Sequence, residues 1–233
     1  MIRLRRAEER GFADHGWLKS FHTFSFAGYH DPEQMGFRDL RVLNDDRVTP
    51  GAGFPTHPHR DMEILSFVVD GALEHRDSMG TGSVVRSGDV QRMTAGTGVT
   101  HSEFNHSKDE GLRFLQVWVL PDRQGHEPGY EQKHFDDDSR RGRLRLVASP
   151  DGRDDSITLH QDVDVYASLL GKDQTVRHEI APGRHAWMQV VKGRVQAGDH
   201  PLSEGDGLAI SDESAVEVTG LGDGGEFLLF DLC

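Results

Sequence analysis

Phe67-Val68-Val69-Asp70-Gly71-Ala72-Leu73-Glu74 and Gln189-Val190-Val191-Lys192-Gly193-Arg194-Val195-Gln196 are the two stretches that decide the fold. Each reads as an apolar strand, a tight turn at glycine and a second strand. Each is followed by another turn signal, Ser87-Gly88-Asp89 in the first case and Glu204-Gly205-Asp206 in the second. Two ordered matches at similar spacing indicate a duplicated β unit. Short apolar runs fill the rest of the chain, at 40–43, 64–69, 84–85, 112–120, 144–147, 163–170, 187–191, 208–210 and 226–232. Glycine-containing turns separate most of them, which points to an all-β sandwich or barrel with a few short peripheral helices. The boundary is expected in the polar stretch 132–143, with Asp136-Asp137-Asp138 as a solvated linker face. That gives an N-terminal domain at 1–131, a linker at 132–143 and a C-terminal domain at 144–233, with room for an exchange of terminal strands.

Composition removes several functions. The net charge of −13 over 233 residues repels phosphate backbones, so direct nucleic-acid binding is not expected. The longest apolar stretch, 114–120, is interrupted by Gln116 and is far short of the ~20 residues of a membrane helix. The start, MIRLRRAEERG, has no apolar signal core, so a cytoplasmic protein is expected. Cys233 is the only cysteine, which excludes an intrachain disulfide and a Cys₄ zinc site. No Gly-rich phosphate loop follows a strand, and no G-x-S-x-G elbow occurs.

Fourteen histidines are the anomaly, and they cluster. His57, His59 and Glu63 share a face if 55–63 is extended, and His101 and Glu103 share one by the same period. Neutral imidazoles and a carboxylate suit a divalent transition metal, namely Fe(II), Mn(II), Ni(II), Cu(II), Co(II) or Zn(II). Both glutamates have the right parity, so spacing leaves open which of them binds metal and which orients a ligand histidine. Displaced by the repeat offset, Glu179, Ala181 and His185 fall opposite His57, His59 and Glu63, while Val218 and Gly220 fall opposite His101 and Glu103. No liganding set survives there, so one metal ion is expected, in the first unit. His22, His75, His106, His178 and His185 are read as hydrogen-bonded structural histidines. Phe24, Phe26, Phe37 and Met93 are either barrel core or the walls of an apolar pocket, and Trp17 has no assigned role.

Gly51-x5-His57-x-His59-x3-Glu63-x7-Gly71 resembles the first cupin motif, whose usual final spacing is x6. Gly88-Asp89 through His101-x3-Asn105 resembles the second, with Gly96 or Gly98 replacing the usual Pro-x-Gly element. Longer strings are more specific: His22-Thr23-Phe24-Ser25-Phe26, Arg41-Val42-Leu43-Asn44-Asp45-Asp46, His57-Pro58-His59-Arg60-Asp61-Met62-Glu63, His75-Arg76-Asp77-Ser78 and Met93 through Glu103. These resemble the pirin family of bicupins over essentially the whole chain, and most closely its bacterial branch of quercetin 2,3-dioxygenases. The resemblance implies two antiparallel cupin barrels face to face, with one metal in the N-terminal barrel and none in the C-terminal one. It implies His57, His59, His101 and Glu103 as ligands, with Fe(II) the first expectation, and leaves Glu63 behind them. It also implies that 14–28 and 33–37 cover the first barrel.

The resulting expectation is a monomeric enzyme that cleaves a flavonol, or a similar small aromatic enol, with O₂ and releases carbon monoxide. Glu103 would be ligand and catalytic base. Two rivals share the metal site. One is a pirin-like regulatory protein that works through protein partners without turnover. The other is a different cupin chemistry, such as a sugar or keto-acid isomerisation, which would run on redox-inert zinc without O₂.

Overall fold

All nine apolar runs lie within or overlap strands of the computed structural model, which describes Met1–Cys233. The strands that the apolar pattern passes over carry mixed sequences. Val99–Asn105 alternates buried and less buried residues, and Gly53–His59 has no fully buried residue. Helices are confined to Asp137–Arg140 and the single 3₁₀ turns Ala7–Glu9 and Arg153–Asp155. No helix is long and apolar enough to cross a membrane.

The chain forms two compact units that interleave in sequence. One contains Gly11–His134 with Ile157–Gln161, and the other contains Met1–Arg10, Phe135–Ser156 and Asp162–Cys233. Residues 1–10 thus leave the domain in which the sequence reading placed them. Ile2–Arg5 pairs antiparallel with Gly207–Ser211, Leu4 packs on that unit's core, and Asp206 accepts from Arg6 Nη1 and Ala7 N, each at 2.8 Å. The strand covers what would otherwise be an open sheet edge.

The stretch 132–143 is structured rather than a plain linker. Gln132, Lys133 and His134 belong to the strand Gly129–His134, paired with Asp89–Thr94. Asp136 caps the helix Asp137–Arg140 by accepting from Ser139 N at 2.7 Å. Asp137 and Glu226 both pair with the buried Arg140, so part of the acidic run neutralises a buried cation.

The duplicated turns match in detail. Gly71 has φ +83 and Gly193 φ +70. A Cβ at Gly71 would meet the Gly111 carbonyl at 2.6 Å, and one at Gly193 the Gly224 carbonyl at 2.2 Å, so a side chain is excluded at both. Asp89 accepts from Arg86 N at 2.8 Å and Asp206 from Ser203 N at 3.0 Å, the same three-residue turn lock in each repeat.

In the first unit a four-stranded sheet runs in the order Gly53–His59, Val99–Asn105, Ala72–Asp77, Gly82–Arg86. A seven-stranded sheet runs in the order Gly129–His134, Asp89–Thr94, Glu63–Asp70, Leu112–Val119, Leu40–Val48, Leu18–His22, Gly11–Asp14. Phe114 with Val68, and Trp118 with Ile64 and Met93, form apolar cross-strand rows on the large sheet. Between those rows lies a polar one. His22, Asn44, Gln116, Ser66, Gln91 and Gln132 are successive register partners across six strands. The first five are buried. In the second unit an apolar cluster that includes Met188, Val190, Leu208, Phe227 and Leu229 forms the core, and Val218 is part of it.

Candidate metal centre

His101 lies directly opposite His57 in the pairing of Val99–Asn105 with Gly53–His59. His59, two residues along from His57, turns to the same point. The ligand nitrogens of His57, His59 and His101 all lie within 4.8 Å of one another, and His57 Nε2 and His101 Nε2 are 3.0 Å apart. His57 Nδ1 donates to the Pro55 carbonyl at 2.8 Å, which leaves Nε2 as the bare, inward-facing nitrogen. Burial pushes His59 down to about 4 and His101 down to about 3, each helped by its neighbouring histidines. Both are therefore neutral donors at physiological pH. His101 Nδ1 is buried without a partner. Three imidazoles converging on one point fit a divalent transition metal.

Glu103 sits on the same strand and face, buried like His101. A register shift between His101 and Glu103 sets its carboxylate in a second group, with His101 and His75, rather than among the three imidazoles. Ser66 Oγ donates to its Oε1 at 3.3 Å and Gln116 Nε2 to its Oε2 at 2.8 Å. His75 is already occupied: Nε2 donates to Asp77 Oδ2 at 3.0 Å and Nδ1 accepts from Gln91 at 3.5 Å. It buttresses the site as a hydrogen-bonded histidine, as expected, and His106 is bonded to Glu74.

Glu63 departs from the sequence reading. The segment is not continuously extended, because Asp61 adopts φ +47 between the strands Gly53–His59 and Glu63–Asp70. The turn breaks the parity argument. Glu63 accepts from Thr94 Oγ1 at 3.1 Å and from His160 N and Nδ1 at 3.3 Å each, and it touches none of the three clustered histidines. His22 departs as well: its Nδ1 is buried without a partner.

A cavity of about 780 Å³ opens onto His57 and His59, within the ~300–1,000 Å³ usual for small-molecule sites. Trp17, Phe26, Tyr29, Phe54 and Trp118 supply its aromatic walls. Phe26 is thus a wall residue, whereas Phe24 is fully buried away from it and Met93 is core. Trp17 gains a role here, edge-on to Phe54 at 5.1 Å. Asp46 also lines the cavity and is bonded by the Ser20 hydroxyl. Burial pushes its carboxyl up to about 7, against the Ser20 hydrogen bond and with help from the charges of Asp45 and Glu103.

This shift makes a stability prediction. A raised carboxyl pKa stabilises the fold fully below the unfolded value near 3.8, and that contribution is lost as pH rises through about 7. Asp46→Asn keeps an acceptor for Ser20 and never ionises. In metal-stripped protein its melting temperature relative to wild type should be higher by about 5 °C at pH 8 than at pH 5. An equal difference at both pH values would contradict the assignment.

The family model described as Pirin matches residues 3–119, and that described as Quercetinase C-terminal cupin domain matches 146–232. The chain is 52% identical over 232 residues to the quercetin 2,3-dioxygenase of Escherichia coli K12, covering 100% of this chain and 99% of the relative. It is 38% identical over 232 residues to a pirin-like protein of Caulobacter vibrioides, covering 99% of each. The crystal structure of the bacterial pirin YhhW from Escherichia coli in complex with nickel(II) superposes with a TM-score of 0.95 at 50% identity, covering 100% of this chain and 99% of that one. On this similarity over its whole length, the chain is a bicupin that belongs to the pirin family.

Proposed function

We propose that the protein is a metal-dependent dioxygenase that opens the central ring of a flavonol such as quercetin with one O₂, yielding a depside ester and carbon monoxide. The observation that carries this reading is the convergence of three imidazoles, two of which, His57 and His59, line an aromatic-walled cavity. His57, His59 and His101 would hold a divalent ion, with Fe(II) our first choice, and Glu103 would complete the set. Such an ion supplies Lewis acidity toward an enolic hydroxyl and redox access to O₂.

The chain's own residues do the rest. Trp118 stands edge-on to His59 at 5.0 Å, and Phe26 edge-on to Trp118 at 5.4 Å, so a flat ligand entering the cavity meets ring surfaces beside the imidazoles. These walls orient it and exclude water. Glu103 accepts the enolic proton. Gln116 fixes Oε2 with the shorter bond, so Oε1, held only by Ser66 at 3.3 Å, is the oxygen freer to take it.

The test is turnover of a flavonol panel by protein loaded in turn with each first-row metal, with O₂ uptake and carbon monoxide recorded together. We expect one O₂ consumed per quercetin with a redox-active metal and far less with zinc. Absence of flavonol turnover with every metal would defeat the reading in favour of a regulatory role. Zinc-supported conversion of some other substrate without O₂ uptake would favour an isomerase.

A further inference from the structure

The polar row across the first barrel is satisfied everywhere except at its cavity end. Gln116 and Ser66 donate to Glu103, Gln91 donates to His75, and Gln132 donates to Asp89 at 3.0 Å while accepting from Tyr130 at 2.8 Å. The remaining two members, Asn44 and His22, are register partners. Asn44 Oδ1 and His22 Nδ1 are both buried with no hydrogen-bond partner, at 2% and 3% residue exposure. Both residues line the 780 Å³ cavity that also reaches His57 and His59. Trp118 Nε1, on the next row of the same wall, is a third unpartnered buried polar atom.

Burying a polar group without a partner forfeits its hydrogen bonds to water, so two adjacent ones are costly in an otherwise well-bonded barrel. Aliphatic side chains would fill these positions without that cost, as Val42 and Val68 do in the flanking rows. Satisfied in the bound state, the same atoms become selective. A site built to bond a ligand hydroxyl discriminates strongly against the analogue that lacks it. Asn44 Oδ1 is an acceptor and needs an O–H. Burial, with a smaller effect from His15, lowers the His22 pKa, so its ring is neutral and can accept from or donate to the same kind of group. Phe26 lies edge-on to His22 at 5.3 Å, which holds the imidazole against the apolar wall.

We propose that Asn44 and His22 are the specificity-determining residues of this cavity, binding a phenolic hydroxyl of a planar polyhydroxylated aromatic whose enolic end lies at His57 and His59. The assignment rests on the dioxygenase reading above and narrows its substrate class to aromatics with at least one hydroxyl beyond the reacting one. Neither residue touches the imidazole cluster, so both act on binding rather than on the ion.

The experiment is equilibrium binding, by quenching of tryptophan fluorescence without O₂, of quercetin and of 3-hydroxyflavone, which keeps the enol but lacks the other hydroxyls. Metal-loaded wild type, Asn44→Leu and His22→Phe are compared after metal content and circular dichroism are matched. Wild type is expected to bind quercetin about 10–100-fold more tightly than 3-hydroxyflavone. Asn44→Leu should bring that ratio to within about 3-fold by weakening quercetin while leaving 3-hydroxyflavone unchanged or tighter. His22→Phe, which keeps a ring of similar shape, should narrow the ratio in the same direction and serves if the leucine variant folds poorly. Wild-type discrimination retained in both variants, or no discrimination by wild type, overturns the specificity assignment and leaves the dioxygenase reading standing. No binding of either flavonol to wild type overturns both.

Discussion

Glu103→Gln is expected to lower kcat for quercetin by about 10²–10⁴-fold at matched metal occupancy, the usual cost of losing a general base. The substitution is close to isosteric. An amide at this position can still accept from Gln116 through its oxygen and donate to Ser66 Oγ, so the buried network at Gln116 and Ser66 survives. The amide can also remain near the imidazoles as a weaker, neutral donor. It cannot take the enolic proton. Chemistry should therefore fall much further than metal affinity. The comparison is Glu63→Gln, whose carboxylate is bonded to Thr94 and His160. That change should act on stability by about 1–2 kcal/mol and leave turnover nearly intact. A more severe effect from Glu63→Gln would reverse the roles of the two carboxylates.

His101→Ala should weaken metal binding by more than about 100-fold, exceeding what removal of an outer hydrogen-bond partner costs. It should abolish flavonol turnover with the β-sheet circular dichroism unchanged. His101 is the member of the cluster that faces His57 at 3.0 Å and shares a group with Glu103, so its loss leaves two imidazoles with no buried donor between them. The barrel does not depend on it, because Phe114, Leu73, Val85 and Val68 form a buried apolar cluster of their own. An equal loss of ellipticity would make the histidine structural.

The two-unit architecture was legible because glycine leaves a mark wherever backbones approach closely. Gly71 and Gly193 stand in the same turn for the same steric reason, and a repeat search finds them. The imidazoles were legible because His57, His59 and His101 lie on true strands, where a period of two holds. Glu63 misled because a single left-handed residue, Asp61, resets the period between two strands, and an Asp gives weaker warning of this than a Gly. The N-terminal strand's move to the second unit is a long-range pairing that no local pattern encodes. The polar row had a visible signal whose meaning was missed: Gln116 and Ser66 each interrupt an apolar run. A lone amide inside a mostly apolar strand marks a buried hydrogen-bonding task. Only the register shows that these interruptions, together with Asn44 and His22, align across the sheet.

The most direct test is a stepwise anaerobic return of Fe(II) to metal-stripped protein, with bound metal per chain measured by elemental analysis at each step and O₂ uptake on quercetin measured in aliquots then transferred to aerated buffer. The account predicts that uptake rises with the first equivalent, is complete at one ion per chain, and is absent throughout in His101→Ala. Two tightly held ions per chain, or full O₂ uptake by the stripped protein, would contradict it.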